Sequence, residues 1–385
     1  MTEIEERLAN AFDTATATVR PEDLKPLTVP AGKPVRRRAR RWTPAIAAFA
    51  VAMIVAGAVL VNVLRSGEGD SGPLAGSGHY FLTLPPLQGG APGADEPPAI
   101  RDLPSGQVIQ RLPTPSEVDR WIDGVGTADN RTFFLLARLV EAERGESHIY
   151  RLRIDPRGRL VELARLPGGD VPGNSNGPLA ASADGAKLAV TVSAQDHPAP
   201  PASQVRLLTV STGRWTVWSG NGMAESLSLS PDGRRLAFQW VGFGKSPDGV
   251  RTLDTGGPAG DLLSRSRQLV PVPGPLDEVH QPWLGRDGLY LVSAGAETRL
   301  LAIANTGKVS ATLLRRTPRP ETATPGDGPP AVADQRPAIS VYCRSADTRH
   351  VLLGTGDKTE WLDLQTRQIK TMDHLNDLDA DIVGC

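Results

Sequence analysis

The chain has 385 residues, enough for one large domain or two ordinary ones, and its formal net charge at pH 7 is −1. Gly (40 residues) and Pro (34) are abundant and aromatic residues make up only 5%, which favours many short strands joined by turns. The small excess of basic residues lies in residues 1–42. The charge therefore indicates no large basic surface, and we expect no nucleic acid among the partners.

Residues 1–42 are predicted to be a cytoplasmic tail that contains a short amphipathic helix. Ile4, Leu8, Phe12 and Ala15 recur at helical spacing, and Pro21 ends the run. A lone helix of about 17 residues is marginal in water. We therefore expect it to lie on the membrane or to dock on a partner, and a weakly structured tail is the alternative.

A transmembrane helix is predicted over residues 43–64, which begin at Thr43, end at Leu64 and contain no charge. A helix of this length spans roughly 33 Å, and a hydrocarbon core is about 30 Å thick. Five arginines lie between positions 36 and 41, whereas Arg65 is the only base close after the span. The positive-inside rule then predicts a single-pass cell-membrane protein with a cytoplasmic N-terminus. A buried core helix and a cleaved signal peptide are the alternatives.

The chain beyond the span, after a flexible Gly-rich linker over residues 65–78, carries a repeated turn. Its best copies begin at Ser182 and Ser230, where Ser-Ala-Asp-Gly and Ser-Pro-Asp-Gly precede apolar residues. Looser copies complete a set of turn aspartates at positions 129, 184, 232, 287 and 347. Asp followed by Gly or Asn supplies the side-chain acceptor and the φ > 0 residue that a tight hairpin needs. We interpret these aspartates as turn caps.

A second turn follows the first within each unit of about 50 residues. It contains Gly106, Gly158, Gly213, Gly256 or Gly307, and Thr366-Arg367 replaces Gly in the last unit. Two hairpin turns per unit predict four antiparallel strands, which is a propeller blade. The N-terminal unit lacks the first turn, and the apolar C-terminal segment ADIVGC could supply its missing strand. The sequence thus predicts an all-β, six-bladed β-propeller over residues 79–385, closed by strands from both ends.

The turn sequences SPDGRRLAF and SADGAKLAV resemble the WD40-like repeat of TolB-type six-bladed propellers, over about residues 120–360. The resemblance implies the fold and not a TolB role, because no counterpart of TolB's extra α/β domain is evident. The N-terminal tail resembles the short N-termini of actinobacterial membrane proteins associated with sigma factors, and the 35 Arg against 7 Lys fit a GC-rich genome. Residues 1–64 contain no His or Cys, so the metal-binding signature of many anti-sigma domains is absent.

No residue set in the sequence demands a reaction. The six His residues have no metal-ligand spacing, and we find no nucleophile elbow, P-loop or dinucleotide fingerprint. Asp377, Asp379 and Asp381 alternate as in a calcium loop but lack its Gly and its bidentate Glu. We therefore predict no catalytic, cofactor-binding or metal site, no cofactor and no enzymatic activity.

The only two cysteines, Cys343 and Cys385, are both predicted to lie outside the cytoplasm, where disulfides persist. In the six-blade register they end the innermost strands of the last and the first blade, so neighbouring strands could bring them within bonding distance. We name Cys343–Cys385 as the disulfide candidate. Two buried free thiols and a redox switch are the alternatives.

These features predict a membrane-anchored, extracytoplasmic propeller that binds or scaffolds an envelope protein, peptide or glycan. The predicted partner is a protein of unknown identity, and the oligomeric state stays open. One alternative is a transmembrane signalling or anti-sigma-like regulator that uses the N-terminal helix. Another is a hydrolase or lyase with a site in the central channel.

Overall fold

A computed structural model describes the chain over residues 80–85, 96–140, 146–173, 175, 177–194, 202–242, 248–272, 278–295, 297–317, 339–344, 349–355, 358–376 and 381–384. The predicted tail (1–42), transmembrane helix (43–64) and linker (65–78) lie outside these residues. Within the described ranges, no helix has the length and apolar character needed to cross a membrane.

The described residues form an all-β structure, as predicted. The single short α-helix is α1 (Leu262–Arg265), and a 3-10 turn follows at Asp373–Leu375. The strands are β1 (Tyr80–Leu84), β2 (Ala99–Asp102), β3 (Val108–Arg111), β4 (Val118–Gly126), β5 (Thr132–Leu139), β6 (Ser147–Ile154), β7 (Leu160–Val171), β8 (Leu179–Ala181), β9 (Lys187–Ala194), β10 (Ala202–Thr209), β11 (Arg214–Leu229), β12 (Arg235–Gly242), β13 (Asp248–Asp254), β14 (Gly260–Asp261), β15 (Ser266–Val272), β16 (Glu278–Leu284), β17 (Leu289–Ala294), β18 (Thr298–Ile303), β19 (Val309–Arg316), β20 (Ser340–Arg344), β21 (His350–Thr355), β22 (Lys358–Asp363), β23 (Ile369–Thr371) and β24 (Asp381–Gly384).

Hydrogen bonding assembles these strands into antiparallel sheets that follow the predicted blade pattern. Three sheets have four strands in chain order: β4 to β7, β16 to β19 and β20 to β23. A fourth has the order β24-β1-β2-β3. In it, Leu82 of β1 pairs with Gly384 and Leu84 pairs with Asp381. The predicted closing strand from the C-terminus therefore joins the N-terminal sheet, as expected.

The fifth sheet of the described part corrects the predicted blade count. It has eight strands, with the main order β15-β13-β12-β11-β10-β9-β8, and β14 pairs with β11 outside this path. The long strand β11 is shared, because its residues 214–221 pair with β10 and its residues 222–229 pair with β12. Six separate four-stranded blades are thus not what the hydrogen bonding gives, since one continuous strand runs where a break between two blades was predicted.

The predicted turn caps are confirmed at Asp129, Asp184 and Asp232. The hydroxyl of Ser182 donates to Asp184 at 2.7 Å and that of Ser230 donates to Asp232 at 2.6 Å. Asp129 accepts from the backbone N–H groups of residues 131 and 132, each at 2.8 Å. Asp347 lies outside the described residues. Side-chain acceptors that satisfy backbone donors explain why this short motif recurs at the hairpins.

Each sheet packs its apolar faces against its neighbours, and large aromatic side chains fill the spaces between them. Trp218 and Trp240 are fully buried at 0% exposure, and Trp283 is 2% exposed. One cluster joins Phe81 and Leu103 of the N-terminal sheet to the sheet β20 to β23, and Ile382 of β24 packs on it. Fully burying such side chains contributes roughly 1.5–3 kcal/mol each, so the contacts between sheets dominate the stability.

Several hairpins pack against the outer edge of the preceding sheet, and we call them the leaning turns. In the turn between β6 and β7, a Cβ on Gly158 would lie 2.7 Å from the ring of Tyr80 and 2.9 Å from Ile109 of β3. In the turn between β2 and β3, a Cβ on Gly106 would lie 2.9 Å from the ring of His374. Both glycines have positive φ, 75° and 69°. Only glycine meets both conditions without strain.

Candidate functional site: a central cavity

One cavity of about 280 Å³ lies where the innermost strands of the sheets meet. Its walls come from β4, β8, β11, β16, β20 and β24. The eight-stranded sheet supplies two of these strands, β8 and the second half of β11, and every other sheet supplies one. The cavity is therefore a central channel segment bounded by six strands.

The strands around the cavity are irregular at the level of its walls. The pairing register shifts between Trp121 and Asp123 in β4, between Glu225 and Ser228 in β11, and between His280 and Trp283 in β16. Similar shifts occur in β20 and at the pairing of β24 with β1. A β-bulge re-aims side chains and frees backbone groups from the ladder, and bulges are common beside active sites.

Two cavity residues have a backbone conformation that L-residues seldom adopt. Ser226 has φ of 50° and Gln281 has φ of 47°. The other non-glycine residues with positive φ in the described chain, Asn130 and Arg367, lie in hairpin turns, where this conformation is usual. Each such residue costs about 1–3 kcal/mol and persists only where its surroundings hold it. The strain outside turns is thus concentrated at the cavity.

Polar side chains of the cavity wall link each strand to the next. Asp123 accepts the N–H of Gly124 at 2.8 Å and the N–H of Leu179 in β8 at 2.6 Å. Ser228 of β11 accepts the N–H of Leu284 in β16 at 3.0 Å. These hydrogen bonds connect neighbouring innermost strands that share no ladder of their own, so the wall around the cavity is held by side chains.

The amide of Gln281 makes the most complete of these links. Its Oε1 accepts the N–H of Val341 at 2.7 Å and its Nε2 donates to the carbonyl of Val341 at 3.3 Å. Asn130 does the same for the first sheet, since it accepts from the N–H of Tyr80 at 2.5 Å and donates to its carbonyl at 2.9 Å. In both cases a residue with positive φ makes two side-chain hydrogen bonds to the backbone of one residue in a neighbouring sheet. Its carboxamide thus takes the place of a paired β-strand residue.

The described lining of the cavity contains one charged side chain. Asp123 is its only carboxylate, and it includes no Lys, Arg or His. Tyr342 is 41% exposed and belongs to the bulge of β20. Its ring lies against Gly354 of β21, where a Cβ would come 2.6 Å from the ring carbon Cζ. Glycine inside a strand often marks such a close approach, and here it seats an exposed aromatic ring on the cavity wall.

The predicted site residues have mixed outcomes. Cys343 lines the cavity and is 5% exposed; Cys385 lies outside the described residues, so the Cys343–Cys385 disulfide stays a prediction. Asp381 begins β24, and Asp377 and Asp379 are not described. Among the described residues, no group of three or more His, Cys, Asp or Glu could hold a metal ion.

Sequence reasoning missed the cavity residues, although a signal for them exists. Each lies six residues before a turn aspartate, an offset shared by Asp123, Pro178, Ser226, Gln281 and Val341. All five line the cavity. The turn aspartates therefore mark a fixed position at five of the six innermost strands, and comparing that position across the repeats identifies residues of the cavity wall.

Neither a protein-family model nor a curated protein matches the sequence. Among solved structures, the fold is similar to oligogalacturonate lyase from Vibrio parahaemolyticus, with 13% identity, 71% of this chain and 70% of that chain covered, and a TM-score of 0.44. It is similar to the periplasmic gluconolactonase of Pseudomonas aeruginosa, with 16% identity, 76% and 81% covered, and a TM-score of 0.43. The β-propeller domain of the Trilobed protease from Pyrococcus furiosus gives 10% identity, 67% and 72% covered, and a TM-score of 0.39.

These similarities bear on the fold and on one functional prediction. One of these solved structures, that of the Trilobed protease, is a β-propeller domain. The prediction that the chain is not an enzyme is contradicted, because the similar structures include a lyase, a gluconolactonase and a prolyl endopeptidase. These identities are 10–16% and these TM-scores are below 0.5, so neither an activity nor a substrate follows for this chain.

Proposed function

We propose that the chain binds a small polar ligand in the central cavity. The observation that carries the proposal is the convergence of six innermost strands, with their bulges and their strained residues Ser226 and Gln281, on one space of about 280 Å³. That volume is near the lower end of the roughly 300–1,000 Å³ typical of ligand pockets. A ligand of a few rings or a short peptide end fits, and a folded partner does not.

The proposal includes a ring of six blades. The eight-stranded sheet is then two blades joined through β11, and two features support this reading. Both β8 and the second half of β11 line the cavity as innermost strands do. In addition, β14 pairs with β11 at Trp218 and Ser219, and this contact replaces a leaning turn between the two blades. The resemblance to TolB-type propellers belongs to the same proposal.

A second candidate function is a hydrolase or lyase reaction at the same cavity. The favouring observation is that one carboxylate, Asp123, and one phenol, Tyr342, both line it. The two backbone N–H groups bound to Asp123 hold its carboxylate at the cavity wall in one orientation. Asp123 is then the general acid–base group, and Tyr342 is a second proton donor.

The location and the partner are part of the proposal as well. The uncharged residues 43–64 and the arginines before them support a membrane anchor with the propeller on the extracytoplasmic side. A protein partner would then meet the longer connections between strands, as propeller loops commonly do. The transmembrane signalling role rests on the N-terminal helix alone, outside the described residues.

Ligand binding is tested by thermal unfolding of the full-length protein against a set of small polar compounds. A ligand present at 100 times its Kd raises the free energy of unfolding by about 2.7 kcal/mol. Ala183 lines the cavity, and Ala183→Trp fills it; Ala186→Trp adds the same bulk at an exposed position of the same turn. We expect the first variant to lose the stabilisation and the second to keep it. If no compound stabilises the wild type in a way that Ala183→Trp abolishes, the proposal is wrong.

A further inference from the structure

We infer that the sheet β4 to β7 binds a carboxylate group at Arg120, Arg138 and Ser147. None of these three residues lines the central cavity, so the inference is independent of the proposed function. It depends on three observations. The three residues lie side by side, two of their donor atoms are buried without a protein partner, and the two arginines carry more charge than one neighbouring carboxylate neutralises.

The three residues occupy one level of the sheet. Arg120 of β4 pairs with Arg138 of β5, and Arg138 pairs with Ser147 of β6. Residues directly opposite each other in antiparallel strands share one face, and neighbouring strands are about 4.8 Å apart. Leu136 and Ile149, two positions along β5 and β6, belong to the apolar cluster between this sheet and the eight-stranded sheet. The three side chains therefore lie beside one another at the end of that cluster.

Two of these side chains have a buried polar atom without a protein partner. Nε of Arg120 and Oγ of Ser147 are buried and have no hydrogen-bond partner among the described residues. Ser147 as a whole is 2% exposed. Buried polar atoms are nearly always hydrogen-bonded, and a guanidinium keeps its charge when it is buried. Both atoms can donate a hydrogen bond, so they indicate a ligand that brings acceptor atoms.

The charge of the two arginines is only partly neutralised. Nε of Arg138 lies 2.9 Å from Oδ2 of Asp119, whereas Arg120 forms no ion pair within the described part of the chain. Glu117 and Asp170, near the same end of the sheet, hydrogen-bond to ring side chains instead. Like charges directly opposite each other destabilise a sheet. One positive charge in excess, at a position where it is unfavourable, matches an anion with a single charge.

A carboxylate fits these donors better than a phosphate group does. Its two oxygens accept the parallel N–H bonds of a guanidinium, and a serine hydroxyl can donate another bond. A phosphate monoester carries about 1.5 to 2 negative charges at pH 7, more than the excess at the site. The side chain of Arg138 is 33% exposed and Arg120 is half-buried, so a carboxylate can reach both from solvent.

The test measures binding to the full-length protein by isothermal titration calorimetry at pH 7 and constant ionic strength. The probes are propionate, its neutral analogue propionamide, methyl phosphate and the peptide acetyl-Gly-Glu-Gly-amide. We expect propionate to bind about tenfold more tightly than propionamide, because hydrogen bonds to charged groups are the stronger ones, and more tightly than methyl phosphate. The peptide distinguishes the source of the carboxylate. Binding tighter than that of propionate indicates an acidic protein segment, and weaker binding indicates a small free carboxylate.

Variants separate the arginine pair from a general effect of net charge. Arg120→Met should weaken propionate binding about tenfold. Arg120→Lys should weaken it nearly as much, because lysine keeps the charge but lacks the planar fork of donors. Arg157→Met removes an exposed arginine from the turn between β6 and β7, and we expect no change. Ala183→Trp, which fills the central cavity, should also leave propionate binding unchanged.

Urea unfolding of the ligand-free protein gives a second measurement. Arg120→Met should raise the unfolding midpoint, because it removes an unneutralised charge and a buried donor without a partner. Arg151→Met removes an arginine that is hydrogen-bonded to Glu162, and it should not raise the midpoint. The inference is wrong if propionamide or methyl phosphate binds as tightly as propionate, or if Arg120→Met leaves propionate binding unchanged. Loss of propionate binding in Ala183→Trp would place the anion in the central cavity and would also contradict it.

Discussion

Two junctions in the ring of sheets are built in opposite ways. The continuous junction runs through β11, whose 16 residues belong to both halves of the eight-stranded sheet. The closing junction consists of the four-residue strand β24, which pairs with β1. At the continuous junction, one unbroken strand joins the two halves of the sheet. At the closing junction, a short strand from the C-terminal end must pair with the first strand of the propeller. The ring of sheets therefore has one strong junction and one weak junction.

Side-chain packing also favours the continuous junction over the closing junction. Beside the continuous junction, Trp218 is fully buried, its indole N–H donates to the carbonyl of Pro258 at 2.9 Å, and β14 adds a parallel pairing. The closing junction depends on Phe81, Leu103 and their cluster, with the partly buried Ile382 against it. Loop-closure entropy also opposes the closing junction, because β1 and β24 are the first and the last strand of the propeller in sequence. The continuous junction has no such cost, since a single strand runs through it.

The largest expected effect comes from removing the closing strand. Deletion of residues 381–385 leaves β1 with an unpaired edge and uncovers the cluster around Phe81. We expect a loss of about 5 kcal/mol or more, a large share of the roughly 5–15 kcal/mol by which a typical domain is stable. Urea unfolding measures it, and a protein lacking residues 2–20 is the control. An unchanged midpoint would mean that the ring does not depend on its closing junction.

The continuous junction is tested by Trp218→Ala. Removal of a fully buried Trp should lower the free energy of unfolding by about 3–5 kcal/mol. Trp215→Ala, three residues earlier in β11 and only partly buried, is the matched control and should have a clearly smaller effect. We expect both variants to unfold in one transition. Two separate transitions for Trp218→Ala would show that the halves of the eight-stranded sheet are independent.

The predicted disulfide would strengthen the weak junction. A bond between Cys343 and Cys385 closes a loop of about 40 residues, so on the chain-entropy model Cys343→Ser should cost about 3–4 kcal/mol under oxidising conditions. Under reducing conditions the wild type should lose the same amount, and the variant should change little. Equal stability of the wild type with and without reductant would contradict the bond.

The link made by Gln281 should have an intermediate effect. Gln281→Leu removes both hydrogen bonds to Val341 and leaves a backbone N–H at the cavity wall without its acceptor. The expected cost is about 1–3 kcal/mol, measured by urea unfolding. Gln107→Leu, at an exposed position, serves as the control. If the two variants are equally stable, Gln281 does not connect β16 to β20.

The smallest expected effect concerns the turn caps in acid. The hydroxyl of Ser230 and then the N–H of Arg234 hold the pKa of Asp232 below its ordinary value of 3.8. A carboxyl whose folded pKa is depressed stabilises the protein above the unfolded pKa, and this contribution is lost as the pH falls through the folded value. Stability should therefore decline below about pH 4, and Asp232→Ala should make the decline slightly shallower. A steeper decline would contradict the assignment.

The fold could be predicted as far as it depends on local chemistry. Asp184, Asp232 and the glycines of the second turns form their hairpins with neighbours in sequence, so their pattern gives the strands and the blade repeat. The continuity of β11 could not be predicted, because it depends on pairing with β10 on one side and with β12 on the other, and both partners lie elsewhere in the sequence.

The cavity was harder to predict because its chemistry depends on strands distant in sequence. Asp123 and Leu179 are 56 residues apart, Gln281 and Val341 are 60 residues apart, and no constant sequence separation links one strand to the next. The polar residues at this level also differ from one strand to the next. Only alignment of the repeats on their turn aspartates would have brought these positions together.

The leaning turns make the ring of sheets directional, because each such turn overlaps the preceding sheet and not the following one. The hairpin with Gly158 covers Ile109 in the outer strand of the sheet before it, and the hairpin with Gly106 covers the 3-10 turn that follows β23. Local unfolding of one sheet would then expose the outer edge of the preceding sheet to solvent. The following sheet would keep its own overlapping turn. Hydrogen exchange that begins at one sheet should for this reason spread around the molecule one way, from each sheet to the one that it overlaps.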